Sequence, residues 1–360
     1  MIDIYPRLTT TVTAGQYRVG PYPAFRYNVV NVLYQSIHDV EPLTPLSPVT
    51  VVQEEQHRHI AVPLKDMVGH VRFAIPRDTA EITAGFRTIG EWIAENLLPT
   101  KCVSCCHDNK FPHTIEFITE RQDIPWELTW LGDDFLARKV IHARYPFVSR
   151  IRHRALSYPA APSLAIVVGR SLGLFDSRVE IEGIQQLYKD TFGANVKVFQ
   201  GEAVTVDLLR NILTGIAGTF DIIHYIGHGD SEGDQVWLEL LGPPFLDHNV
   251  PPNVYGNPLV FWNSCFSGAA AASCRYQSDV VDGFGGRLLS SGASHFIGPL
   301  FPVPDSTAAE FALKFYASIF AGDSVGFSFF QAKTAICEAD PVALTYVLYG
   351  NPGVRMISHA

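Results

Sequence analysis

Residues 220–268 open on FDIIHYIGHGD (220–230) and close on PLVFWNSCFSG (258–268). Each quoted run has the length and the β-branched and aromatic content of a buried strand. Each ends in a reactive side chain beside a glycine or a turn: His228 in the first, Cys265 in the second. Open α/β sheets bind ligands outside the carboxyl ends of their strands. If these two strands are neighbours, the imidazole and the thiol face one crevice. Their separation of 37 positions suffices for one hairpin excursion.

Downstream and upstream of this stretch the pattern is regular. Residues 163–169 (SLAIVVG), NVKVFQG, VWLELLG, SHFIGPLF and YVLYG read as strands. Residues 178–192, 205–217, 284–291, 308–320 and 324–338 read as helices. Thr205 stands where an N-cap belongs. Alternation of strand and helix predicts a mostly parallel sheet covered on both faces. YPAAP (158–162) marks a boundary, with 158–360 as the catalytic domain. Residues 51–157 form a strand-rich bracing region with one helix over 86–98, and 1–50 form an extension rich in Thr, Pro and Tyr.

The 360 residues are 47% hydrophobic and 18% charged, which describes a folded chain of two to three domains. A net charge of −9 argues against direct nucleic-acid binding. No apolar run reaches the length of a membrane span, and the first residues lack a leader pattern. Six scattered cysteines fit free thiols in a reducing cytoplasm. Cys102, Cys105, Cys106 and His107 lack a second ligand pair, so no metal site and no cofactor is expected.

Other α/β chemistries find no support. GRSLG follows the first strand instead of a dinucleotide fingerprint, and no phosphate loop exists. The G-x-S-x-G at Gly322–Gly326 follows a helix, so Asp323 or Ser324 is expected to cap the next one. His228 and Cys265 remain. A thiol needs a base or acid partner to attack a carbonyl and to protonate the leaving amine. Gly229 and Cys265 backbone N–H groups are the candidate oxyanion donors, with Ser267 and Gly268 small enough to admit a substrate. His224, deeper on the same strand, takes a structural role. Cys274 reads as an exposed loop thiol.

At these residues the chain resembles the caspase-type cysteine peptidases, in particular their CHAT branch, which is similar to separase in its catalytic half. The resemblance rests on the H-G pair, on S-C-x-x-G, on IPWEL (124–128), on GFGGRLLSSGASHFIGPLFPVPDSTAAEFALKFYASI (283–319) and on YGNPGVRM (349–356). It covers about residues 85–360. The family often has Leu-Trp-Pro-Val-Asp-Asp where this chain has Leu300 to Asp305. The resemblance implies a caspase-like three-layer fold with a mostly parallel six-stranded sheet, preceded by a pseudo-peptidase-like region. It implies a Cys-His endopeptidase acting on a protein substrate, gated by a partner protein or ligand, in a prokaryotic, antiviral defence setting. It places Asp305 at the substrate pocket, where it would pair with a cationic side chain or else cap a helix beginning near Ser306. The alternatives are a catalytically inactive CHAT-like scaffold and a nonpeptidase binding protein.

Overall fold

The computed structural model describes residues 8–9, 18–19, 22–28, 79–96, 114–119, 124–146, 160–170, 176–232, 235–269 and 283–357. The described residues between 158 and 360 contribute six strands to one sheet: β6 (Leu164–Val168), β7 (Lys197–Phe199), β8 (Ile222–Ile226), β12 (Leu259–Asn263), β13 (His295–Pro299) and β14 (Tyr346–Gly350). Their order is β7-β6-β8-β12-β13-β14. Every neighbour is parallel except β14, which runs antiparallel to β13. Strands β6, β8, β12, β13 and β14 are buried at every position. That explains their continuous apolar runs: a parallel strand covered on both faces has no solvent side to mark with polar residues.

The sheet does not stop at the expected boundary. β5 (Ile141–Pro146) runs parallel to β14, and β4 (Thr114–Thr119) and β3 (Tyr22–Asn28) continue from it, also in parallel. β1 (Leu8–Thr9) and β2 (Arg18–Val19) flank β3 in antiparallel fashion. The described strands β1–β5 therefore extend the edge of the same sheet.

Period-two alternation sorts the two faces. On one, Leu164, Ile166, Ile222, Leu259, Phe261 and Tyr346 pack under α3 (Ser177–Phe192), α6 (Asp305–Phe320) and α7 (Val325–Ile336). On the other, Ala165, Val167, Ile223, Tyr225, Val260 and Trp262 pack under α4 (Val206–Leu213) and α5 (Gly283–Ser291). α1 (Thr79–Asn96) buries Phe86, Ile89 and Ile93, while α2 (Leu136–Lys139) is a single turn before β5. A separate antiparallel sheet of β9 (Gly229–Glu232), β10 (Gln235–Leu238) and β11 (Phe245–Leu246) fills the excursion between β8 and β12.

Helix ends follow local chemistry. The Thr205 hydroxyl accepts from Leu208 N–H at 3.2 Å, as its cap position requires. α4 ends at Leu213, short of the expected 217, because Gly215 turns left-handed at φ 81°. α6 begins at Asp305 instead of 308, with Pro304 at its N-cap. The Ser324 hydroxyl accepts from Phe327 N–H at 3.3 Å, so this serine is a helix cap. No described helix is long and apolar enough to cross a membrane.

Candidate active site

In the parallel pair β8–β12, Ile226 faces Asn263. Those two residues are 37 apart, and so are His228 and Cys265. The register thus brings the imidazole-bearing and thiol-bearing residues level, each two positions past the end of its strand, on neighbours spaced about 5 Å apart. The chain runs from β6 outward to β7 and then back across β6 to β8, so this crevice lies beside the point where strand order reverses. A Cβ on Gly229 would lie 2.5 Å from the Cys265 carbonyl oxygen and 3.0 Å from Ser264 Oγ. The two strand ends touch, and only glycine fits there.

His228 is held by its backbone. Its N–H donates to the Arg170 carbonyl at 3.2 Å, and its carbonyl accepts from Glu239 N–H at 2.9 Å. Arg170 N–H in turn donates to the Glu239 carbonyl at 3.0 Å. Three peptide groups from the ends of β6, β8 and β10 thereby close a ring of hydrogen bonds. The Tyr225 hydroxyl lies against it, its one proton shared between the Glu239 carbonyl at 2.7 Å and the His228 carbonyl at 3.3 Å.

Cys265 is half-buried and sits in a turn, closed by Ser267 N–H to the Ser264 carbonyl at 3.2 Å. Phe266, next in the chain, has φ of 60°, which costs a non-glycine residue about 1–2 kcal/mol. Its ring is buried with Trp262, Phe284 and Phe296, a gain of about the same size that offsets the strain. Cys265 Sγ faces the Val303 carbonyl at 4.0 Å, so the segment after β13 lines the thiol's side of the crevice.

The small residues after the cysteine, expected to admit a substrate, also pack closely against the sheet. A Cβ on Gly268 would meet the Gly298 carbonyl oxygen at 2.5 Å, and Ser267 Oγ donates to the Trp262 carbonyl at 2.6 Å. Both hold the turn onto the sheet.

Beneath the crevice lies a buried polar network that the sequence reading missed. Glu180 Oε1 meets His224 Nε2 at 2.8 Å and accepts from Asn263 Nδ2 at 2.6 Å. Asn263 Nδ2 also donates to the Ala308 carbonyl at 2.9 Å, and Tyr346 OH donates to Asn263 Oδ1 at 2.6 Å. Burial, with the Glu180 charge added, pushes the Tyr316 and Tyr346 phenols well up. His224 has the structural role assigned to it. The signal for Glu180 was present: it shares one helical face with the apolar Ile184 and Tyr188. For Tyr225 the apolar run offered none.

Asp305 does not cap its own helix. Its carboxylate accepts from the N–H of Asp176, the N-cap residue of α3, and so ties two helix starts together beside the crevice. Burial pushes its carboxyl up, and the Asp176 charge adds to this; the Asp176 N–H and nearby His228 pull it down without prevailing. Among the described residues no group of three or more His, Cys, Asp or Glu is placed to hold a metal ion. Cys102, Cys105, Cys106, His107 and Cys274 lie outside the described residues.

The CHAT domain matches residues 114–346 of the chain. Among solved structures, the Arg-specific cysteine proteinase gingipain R aligns at 11% identity and a TM-score of 0.53, over 77% of this chain and 76% of that one. The complex of Porphyromonas gingivalis RgpB pro- and mature domains aligns at 13% identity and 0.51, over 78% of each. A chain of the Saccharomyces cerevisiae separase–securin complex aligns at 17% identity and 0.47, over 67% of this chain and 16% of that much longer one. No curated protein sequence matches. At these identities the gingipain structures establish the caspase-like fold and nothing finer. With the domain match spanning most of its length, the chain belongs to the CHAT domain family.

Proposed function

We propose that this protein is a cysteine endopeptidase with Cys265 as nucleophile and His228 as the proton-transferring partner. The observation that supports it most is the shared 37-residue offset, which sets both residues level at the ends of adjacent strands. His228 takes the thiol proton, and the thiolate attacks the scissile carbonyl. The imidazolium then protonates the departing amine, and water hydrolyses the thioester. The oxyanion is held by Gly229 and Cys265 N–H groups. In support, Glu239 N–H reaches the His228 carbonyl, so antiparallel alternation turns Gly229 N–H away from β10.

Cys265→Ala and His228→Ala each abolish cleavage of a peptide library, and the double variant is no worse, because members of one catalytic unit do not act additively. Cys274→Ala keeps activity. A thiol-reactive peptidyl electrophile labels Cys265 in an active peptidase and spares it in an inactive scaffold. Cleavage by Cys265→Ala, or labelling at Cys274, overturns the assignment.

The proposal extends to substrate and control. Asp305 beside the crevice suits a cationic side chain ahead of the scissile bond, since a buried ammonium or guanidinium needs a counter-charge. Asp305→Ala then abolishes cleavage after Arg or Lys and leaves the fold intact; an unchanged preference removes Asp305 from the pocket. Basal activity is low until a partner protein or ligand activates the enzyme, as the resemblance implies for a cytoplasmic defence enzyme. High turnover by the purified chain alone contradicts that. Residues 1–150 brace the sheet, and a soluble, fully active 151–360 fragment refutes it.

A further inference from the structure

The geometry points to Tyr225 as the positioning residue for His228, an inference that rests on the Cys265–His228 pair proposed above. Tyr225 lies on β8 three residues before His228, with its side chain wholly buried on the α4/α5 face. Its hydroxyl reaches the end of its own strand and shares its one proton between the Glu239 carbonyl at 2.7 Å and the His228 carbonyl at 3.3 Å. These are the residues flanking the β9–β10 hairpin, one at each foot. One phenol thus joins the place where the hairpin leaves the sheet to the place where it returns.

Two glycines make room for it. A Cβ on Gly169 would lie 2.1 Å from the Tyr225 hydroxyl oxygen, and one on Gly227 would lie 2.6 Å from it. Neither glycine has a positive φ that would otherwise demand the residue. Their smallness answers to the phenol. Burial, reinforced by the Glu239 charge, pushes the Tyr225 phenol far up, so its proton stays in place for donation.

The hydroxyl is not needed to satisfy the carbonyls it touches. The His228 carbonyl already accepts from Glu239 N–H, and the Glu239 carbonyl from Arg170 N–H. Removing the hydroxyl therefore orphans no buried backbone group, and the fold survives Tyr225→Phe. What is lost is a restraint on the peptide that carries the imidazole. A hydrogen bond of ordinary strength corresponds to about three- to tenfold in rate when it positions a reacting group.

The test follows alkylation of Cys265 by iodoacetamide against pH, read by mass spectrometry of its own peptide, in the full chain. This needs no knowledge of the natural substrate. His228→Ala shifts the profile and slows alkylation at neutral pH. Tyr225→Phe shifts it in the same direction and slows it about three- to tenfold. The Tyr225→Phe/His228→Ala double variant matches His228→Ala alone, because Tyr225 acts through the imidazole. Gly227→Ala, whose Cβ displaces the phenol, reproduces the Tyr225→Phe profile and stands in if that variant fails to fold. If His228→Ala leaves the profile unchanged, the dyad itself is wrong and Tyr225 has nothing to position. If His228→Ala shifts it while Tyr225→Phe matches wild type, or if the two effects add in full, the dyad stands and the role of Tyr225 is overturned.

Discussion

Glu127→Gln tests how the IPWEL segment is held against the sheet. Glu127 and Arg144 are both fully buried. Arg144 Nε donates to Glu127 Oε1 at 2.8 Å, and Nη2 donates to Glu127 Oε2 and to the Ile124 carbonyl. His142 lies 3.8 Å from the carboxylate. Lys333, also buried, donates to the Tyr346 carbonyl at 2.6 Å and meets His142 Nε2 at 3.2 Å. Burial alone would raise the Glu127 carboxyl, but Arg144, then His142 and Lys333, outweigh it and hold the group below its ordinary range. The carboxylate is thus the one negative charge among these four side chains. Glutamine keeps its volume and removes the charge, so no cavity contributes. Two charge-assisted hydrogen bonds of about 1.5–3 kcal/mol each are weakened. Breaking a buried ion pair from one side costs about 3–5 kcal/mol, and that is the expected loss. Urea unfolding followed by tryptophan fluorescence reads it, with Trp126 stacked on Phe117 at 5.1 Å as a nearby reporter. Arg144→Met loses a similar amount, while the double variant loses clearly less than the two together. Glu127→Gln unfolding at the wild-type urea concentration, or losses that simply add, would refute a buried pair.

Two further outcomes follow from the same geometry. Gly229→Ala places a Cβ 2.5 Å from the Cys265 carbonyl oxygen and forces the strand ends apart; the protein still melts cooperatively while kcat/KM falls about 100-fold or more, and an active variant would contradict the close approach. Burial drags the His295 pKa down to about 4 against the pull of the Asn351 carbonyl. The unfolded chain binds that proton first, near pH 6.5, so stability is full above 6.5 and falls by about 3 kcal/mol towards pH 4. His142, dragged to about 3 by burial and Lys333, acts in the same direction. His295→Asn flattens the decline in pH-dependent melts, and an unchanged slope assigns it elsewhere.

The sequence by itself determined the central strands of the sheet and most of the helices. Runs such as LAIVV and LVFWN have the composition of a strand covered on both faces, and Thr205 and Ser324 mark helix starts by side-chain chemistry that acts within three residues. It also singled out His228 and Cys265, because both reactive groups fall where a strand must end. Tertiary structure decided what lies far apart in the chain. Register alone makes those two residues level. Pairing of β5 with β14 carries the sheet past residue 158. The contacts of Glu180, Tyr225 and Asp305 span separations from 3 to 129 residues. Local patterning records which face of an element is buried; it carries no information about which distant polar atom will meet it there. That is settled only when helices and strands pack, and burial then leaves each polar group no partner but the neighbour the fold supplies.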